Sequence, residues 1–418
     1  MRIAIIASTF PKLSETFILN QITGLCNRGH EVSIFSRFKP TESLAHPDVA
    51  KYKLLEKTQY FPSIPRSKWL CRLKASGWIL RSLLSRPRMA IRILRYLLKR
   101  PEGFSYPILF TALSVFQRPV DVIHVHFGHN GRLMIPLKQI EPMAGFFTMF
   151  HGHDLLIGLD NGPDYYRELF EYADLILANS DFTRNRLLEQ GADPARTRIH
   201  HMGIDVNAFP FQAGVSDFTA APARILTIGR LCEQKGIEYS IRAIGCLCSA
   251  HPDIKVEYRI IGDGPLEPAL KQLVQELKLS DTVRFLGGLE QTRVIEQLGQ
   301  ADLFLLTSIH EWLGMVLLEA QATGIPVIAS RIGGIPEAVK PEESAFLVDP
   351  AKPEEIADRL YHLLIHPELR TRMGQEGRRH VEKNFDINTL NDTLEQIYRD
   401  ICRNLKKQQP NGRQRKYV

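Results

Sequence analysis

The chain has 418 residues, 44% hydrophobic and 24% charged, enough to bury sizeable cores and more than one core usually organises, so two domains are expected. No uninterrupted apolar run reaches the roughly 18–20 residues that a transmembrane helix needs, which argues against a membrane-spanning protein. A formal net charge of +7 points to a polyanionic partner: nucleic acid, anionic lipid or a phosphorylated substrate. The six cysteines are scattered, and Cys246 and Cys248 form Cys-x-Cys without a matching ligand set, so thiols in a reducing cytoplasm are expected rather than disulfides or zinc.

The opening "MRIAIIASTF" is too short and too lightly charged for a signal peptide and reads as a first strand. After it, short apolar runs alternate with longer amphipathic ones, which predicts α/β architecture with parallel sheets. Strands are expected at 2–8, 31–36, 121–127, 145–150 and 175–180, then at 223–229, 256–262, 282–287, 302–308, 326–330 and 345–349. They are β-branched and nearly continuous in apolar residues, as strands covered on both faces should be. The Gly-, Ala-, Pro- and Ser-rich stretch 203–223 reads as a linker. The expected organisation is an N-terminal Rossmann-like domain (1–205), a C-terminal one (206–385), a C-terminal helix (386–405) and a basic, disordered tail (406–418). Two such domains facing one another make a central cleft, with ligands at the carboxyl ends of the strands.

One segment breaks the alternation. Between Lys57 and Pro101 there are twelve Lys or Arg and no acidic residue. Trp69, Leu73, Leu80 and Leu84 recur at one-face helical spacing, as do Ile91, Leu94 and Leu98, while Arg72, Arg81, Arg92, Arg95 and Lys99 take other positions. A basic amphipathic helix pair with tryptophans suits an anionic membrane surface, met by 66–100. The alternative is a helical insertion that packs its apolar face on the domain. Nucleic acid is not expected, because the aromatics show no stacking-module pattern.

Three loops are candidates for phosphate chemistry. In "IGRLCEQKGIEYSI" (228–241), Arg230 and Lys235 follow a strand end, where a guanidinium fork and an ammonium suit a diphosphate. "IIGDGPLEPAL" (260–270) is a strand, a Gly-rich turn and a helix, half of a nucleotide-binding turn or plain turn chemistry. In "EWLGMVLLE" (311–319) a helix is expected to begin near Gly314, so the N–H groups of Gly314, Met315 and Val316 form an anion site at the positive end of its dipole. Glu311 and Glu319 then flank that site and reach hydroxyl groups on opposite sides of a diphosphate, the layout of a nucleotide sugar.

The spacing Glu-x7-Glu followed by "AQATGIPVIASRIGGIPEAV" (320–339), with "GRLCEQKG", "IIGDGPL", "FLGGL" and "ADLFLLTS" in that order, resembles the retaining GT-B glycosyltransferases of family 4. The N-terminal "STFPKLSETFILNQITGLCNRGHEVSIFS" (8–36), with "HVHFG" and "FHGHD", is similar more narrowly to bacterial exopolysaccharide enzymes of the colanic-acid type. The resemblance implies a metal-independent, retaining hexosyltransferase that needs no cofactor beyond a nucleotide-diphosphate sugar. Its acceptor would be a growing lipid-linked, polyprenyl-diphosphate-bound saccharide, and its place the cytoplasmic face of the plasma membrane.

It also implies roles. Arg230 and Lys235 would hold the donor diphosphate and stabilise the leaving group. Glu311 and the amides of 314–316 would hold the hexose and distal phosphate, and Glu319 the ribose. Gly262 and the turn ending at Leu289 would lie by the base. His151 would stand near the transferred sugar as a catalytic residue, its imidazole bonding a sugar hydroxyl or polarising the reacting centre, and Ser14, Glu15 and Thr16 would lie on the acceptor side; locally, Ser14 also reads as a helix cap. Trp312 and Leu313 depart from the family pattern, which usually has Gly after the first Glu. A nucleotide-sugar epimerase and a non-catalytic nucleotide-sugar-binding protein are the alternative readings.

Overall fold

A computed structural model describes residues 1–12, 15–40, 46–212, 218 and 221–407. The chain divides into two units, each built on one wholly parallel sheet. The first gathers Met1–Asn179, Thr183–His200 and the chain from Asn391 on. Its strands are β1 (Arg2–Thr9), β2 (Glu31–Phe38), β3 (Thr58–Tyr60), β4 (Val122–His126), β5 (Gly145–Phe150), β6 (Leu175–Ala178) and β7 (Thr197–Ile199). Their order is β3-β2-β1-β4-β5-β6-β7, with Ile5 of β1 level with Ile34 on one side and His124 on the other. Every residue of β4 and β5 is buried, which is why their sequences run apolar instead of alternating.

The second unit, Ser180–Phe182 with His201–Leu390, repeats the plan. Strands β8 (Ala223–Ile228), β9 (Val256–Ile261), β10 (Val283–Gly287), β11 (Leu303–Leu306), β12 (Val327–Ser330) and β13 (Ala345–Val348) lie in the order β10-β9-β8-β11-β12-β13. The helices Ile237–Ala250 and Pro353–Ile365 close one face over Ile225, Tyr258, Leu305 and Ile328. Tyr258 is fully buried, and its hydroxyl bonds to Thr227 Oγ1 at 2.8 Å and Ser240 Oγ at 2.7 Å, so the polar tip costs nothing unpaired. In both units the strand order reverses beside the first strand, between β1 and β4 and between β8 and β11. Ligands of open α/β sheets settle at the carboxyl ends of strands at such reversals.

All eleven strands expected from the apolar runs are present. The two unforeseen ones, β3 and β7, are three-residue edge strands, too short to show a period. Residues 203–212 run along the second unit, where Ile204 bridges to Asp386. The C-terminal helix is Ile387–Lys407, and from Asn391 it packs on the first unit. There the Asn391 side chain occupies the place a Cβ on Gly24 would need, and the Tyr398 ring stands edge-on to Phe147, its hydroxyl 2.6 Å from His124 Nδ1. Residues 408–418 of the expected basic tail lie outside the described residues.

The basic segment forms two helices, Lys68–Ser85 and Pro87–Lys99, which pack on one another. The first buries Cys71 and Ala75 and sets Trp78 edge-on to Phe110. Its opposite stripe, Trp69, Leu73, Leu80 and Leu84, stands in solvent, with Leu84 80% exposed. The helix therefore does pack on the domain, but with the other face. In the second helix Ile91 and Leu98 are exposed and Leu94 half-buried. No helix among the described residues is long and apolar enough to cross a membrane, and all six cysteines are free thiols.

Candidate active site

In the second unit the β8 and β9 ends touch. Gly229 N–H donates to the Ile261 carbonyl at 2.9 Å, and Gly262, the first residue past β9, donates to Gly287 at 2.9 Å. The turn beyond β10 is held by Asp263, whose Oδ1 accepts from Gly288 N at 3.0 Å; Leu289 follows, half-buried. Arg230 leaves β8 exposed to solvent, its guanidinium without an acid within reach among the described residues. Lys235 lies one turn on, and its Nζ meets Glu311 Oε2 at 2.5 Å. Ser308 Oγ adds a second donor to the same oxygen at 3.2 Å. The loop after β11 is tied to the Lys235 loop because the Gln234 carbonyl accepts from Ile309 N at 2.9 Å.

Gly314 then turns the chain with φ +83°, a left-handed conformation that costs an L side chain about 1 kcal/mol or more. The helix Met315–Thr323 starts at that turn, as expected, and Leu317 N–H bonds back to the Gly314 carbonyl at 2.9 Å. Met315 and Val316, in the first turn, have no acceptor within the helix, so their N–H groups are available to an anion. The Glu311 carbonyl is backed by Gly333: a Cβ there would stand 1.7 Å from it. Trp312 is half-buried, its ring 5.0 Å from His310 and 5.7 Å from Phe182, and Leu313 is buried. The indole thus leaves Glu311 directed at Lys235. Arg230, Lys235, Glu311, Gly314, Met315 and Val316 form one group at the carboxyl edge of the sheet, with Gly262 and Leu289 in the neighbouring turns.

Glu319, one turn into the helix, has no ion-pair or hydrogen-bond partner for its carboxyl among the described residues. Burial alone raises its pKa to about 7. A proton held to pH 7 in the folded chain but only to 4.5 in the unfolded one makes the carboxyl a growing burden as pH rises between those values. Full desolvation would correspond to about 3.4 kcal/mol above pH 7. The side chain keeps an edge open to solvent, so we expect about 2 kcal/mol. Glu319→Gln should therefore stabilise the second unit by about 2 kcal/mol at pH 8 and leave it unchanged near pH 4.5, as read by urea unfolding. An equal effect at both pH values would show that the carboxyl is not strained.

In the first unit His151 follows β5, buried, its ring 4.5 Å from Phe17 and 4.8 Å from Phe127. Its Nε2 shares a 3.0 Å hydrogen bond with His126 Nδ1, so in this state that nitrogen faces inward. Burial, then the neighbouring imidazoles, depress its pKa to about 3, and His124 and His126 are pushed well down for the same reasons. Sequence reasoning passed over Asp154, which organises the loop. It accepts from Gly128 N at 2.7 Å, Gly152 N at 2.9 Å and His151 N at 3.1 Å, and burial raises its pKa to about 6 despite those bonds. The helix Thr16–Asn27 brings Phe17 onto His151, with Thr16 opening it and Glu15, in the cap position, paired to Lys12 at 2.7 Å. Ser14, with both its cap and its acceptor assignment, lies outside the described residues. Ser308 and Gly333 carry no such assignment in the sequence, where the Gly-Gly pair at 333–334 signals only the second.

The model described as Glycosyl transferases group 1 matches residues 211–380, and that described as Glycosyltransferase Family 4 matches residues 14–208. The chain is 30% identical over 409 residues to WcaL of Escherichia coli K12, designated a colanic acid biosynthesis glycosyltransferase, covering 94% of this chain and 98% of that one. It is 30% identical over 376 residues to AmsK of Erwinia amylovora, an amylovoran biosynthesis glycosyltransferase, covering 87% and 90%. Among solved structures, Anabaena HepE in complex with UDP-glucose superposes with a TM-score of 0.69 at 17% identity, over 96% of this chain and 100% of that one. Sucrose-phosphate synthase from Thermosynechococcus elongatus gives 0.69 at 20% identity, over 96% and 99%. These two carry the GT-B fold.

Proposed function

The chain belongs to the group 1, family 4 glycosyltransferases, and from that premise we propose that it moves a hexose from a nucleotide-diphosphate sugar to a lipid-linked saccharide in exopolysaccharide assembly. The observation that carries this reading is the Lys235–Glu311 ion pair beside a free guanidinium and an open helix N-terminus. Before donor binds, Lys235 and Glu311 hold each other in place. A bound diphosphate takes over the ammonium, and Glu311 is released to accept from a sugar hydroxyl. Arg230, Lys235 and the N–H groups of Met315 and Val316 then face the negative charge that grows on the departing phosphate. Those fixed charges supply what a divalent ion otherwise would, so the transfer is proposed to be metal-independent. Glu319 receives the ribose hydroxyls, and Gly262 and Leu289 border the base.

The proposed stereochemistry is retention by front-face attack. The acceptor oxygen bonds to the anomeric carbon as the carbon–phosphate oxygen bond breaks, and the leaving phosphate takes the acceptor's proton. His151, with Glu15 and Thr16, is assigned to the acceptor unit's part in positioning. The exposed stripe Trp69, Leu73, Leu80 and Leu84, flanked by exposed Lys68, Arg72 and Arg81, is proposed to rest on an anionic bilayer at the cytoplasmic face.

The test is nucleoside-diphosphate release from a panel of donor sugars, with lipid-linked acceptor supplied in anionic or neutral vesicles. Release that requires acceptor, runs faster on anionic vesicles and loses that advantage in salt is expected. Sugar-ring inversion with donor alone, or binding without turnover across the panel, would overturn the transferase reading. Equal rates on both vesicle types would remove the membrane claim only.

A further inference from the structure

An open groove of about 1530 Å³ crosses the first unit between the helices Pro87–Lys99 and Gly128–Ile140 and the segment 61–64. Seven cations line it against two acids, Glu102 and Glu168. Four of the seven are engaged. Arg92 pairs with Glu141 at 2.5 Å, Arg100 with Glu102 at 3.1 Å, Arg132 lies over the Tyr165 ring at 4.8 Å, and Arg37 donates to Asn130 Oδ1 at 3.3 Å. The other three, Arg88, Arg95 and Lys99, have no ion-pair or hydrogen-bond partner among the described residues. They stand at i, i+7 and i+11 of one helix, within about 20° of a common line at 100° per residue. Like charges at that i, i+4 spacing weaken a helix when nothing answers them.

Most of the remaining wall is apolar, interrupted by Ser63, Ser105, Thr111 and Gln139. Ile64, Ile91 and Leu133 line the groove and are each more than 40% exposed, beside Phe61 and Ile108. A cationic stripe against an apolar wall matches a ligand with a compact polyanion at one end and a hydrocarbon body at the other. Free phosphate or a nucleotide would not need the wall. The groove's inner end is also connected to the sheet. Asn130, which holds Arg37, donates to Ser8 Oγ at 2.8 Å and to the His126 carbonyl at 3.0 Å, at the carboxyl ends of β1 and β4.

We propose that this groove binds the diphosphate and the first apolar segment of an isoprenoid-diphosphate-linked saccharide, with Arg88, Arg95 and Lys99 as the phosphate-binding cations. It rests on the lipid-linked acceptor proposed above, and its test needs no donor. Farnesyl diphosphate, farnesol and inorganic diphosphate are titrated calorimetrically onto the full-length protein and onto the triple variant Arg88→Ala/Arg95→Ala/Lys99→Ala. The wild type should bind farnesyl diphosphate at least tenfold more tightly than either fragment, and the triple variant should lose tenfold or more at a melting temperature no lower than the wild type's. A second variant, Leu133→Asp, should erase the preference over inorganic diphosphate while keeping the phosphate affinity. Equal binding of farnesyl and inorganic diphosphate would reduce the groove to a phosphate site, and an unaffected triple variant would overturn the assignment. So would wild-type protein that binds anionic vesicles but not farnesyl diphosphate. If transfer fails with every donor while farnesyl diphosphate binding behaves as described, the transferase reading fails and the groove stands.

Discussion

Lys235→Ala should lower turnover by two to three orders of magnitude, about 3–4 kcal/mol of transition-state stabilisation, the usual loss when one preorganised donor to a developing anion is removed. In the proposed site its ammonium stands between Glu311 and the donor phosphate, so its loss should affect the charged transition state more than the bound donor. Lys235→Arg should recover little, because a planar fork does not replace a compact point charge within 2.5 Å of one carboxylate oxygen. Glu311→Ala should lose a comparable factor. The double variant should fall little below the worse single one, since the two residues act as a unit and each loses its function without the other. Arg230→Ala should weaken turnover tenfold or more without changing the melting temperature, because the guanidinium is exposed and pairs with no acid among the described residues. The decisive measurement is kcat and KM for the five variants beside their unfolding midpoints. Full turnover in Lys235→Ala or Arg230→Ala would remove the site assignment.

Much of this arrangement was legible in the residues. Strands buried on both faces must run apolar, and they do. A glycine after an acid and before an apolar run marked the start of the helix at Met315 correctly, because only a left-handed residue makes that turn cheaply. Other features are invisible to spacing. Lys235 and Glu311 are 76 residues apart, and local reading assigns them to separate parts of a ligand, whereas the free protein pairs them. Asp154 looks like any loop acid until three backbone N–H groups converge on it. The helix Lys68–Ser85 shows its bare stripe by period, since Trp69, Leu73, Leu80 and Leu84 are large. Its packed face carries Cys71 and Ala75, whose small side chains give little periodic signal, beside Trp78, which meets Phe110. The bare stripe, with four large apolar residues in register, is the face that the period displays.

The first unit should be acid-labile in a way that His126→Gln corrects. His124, His126 and His151 are buried and depressed, His151 to about 3, so the folded chain stays unprotonated where the unfolded chain, near 6.5, takes protons. Their stabilising effect is complete above pH 6.5 and is lost as pH falls, at up to about 1.4 kcal/mol per pH unit for each imidazole. His30 and His129, also lowered by burial, act in the same direction. Asp154 opposes them: its carboxyl, raised to about 6, takes a proton in the folded state between pH 6 and its ordinary 3.8 and offsets roughly one imidazole there. The net expectation is a loss of about 2–3 kcal/mol for each pH unit below 6. Two of the three tryptophans, Trp69 and Trp78, lie in the first unit, so in a Trp312→Phe background fluorescence follows that unit alone. Its urea midpoint should be flat from pH 8 to 7 and fall steeply from 6.5 to 5. His126→Gln on that background should cost stability at pH 8, where it removes the 3.0 Å bond to His151, and should show a shallower slope below 6.5. A midpoint that does not fall between pH 7 and 5, or a slope that His126→Gln leaves unchanged, would mean the buried imidazoles do not govern the acid response.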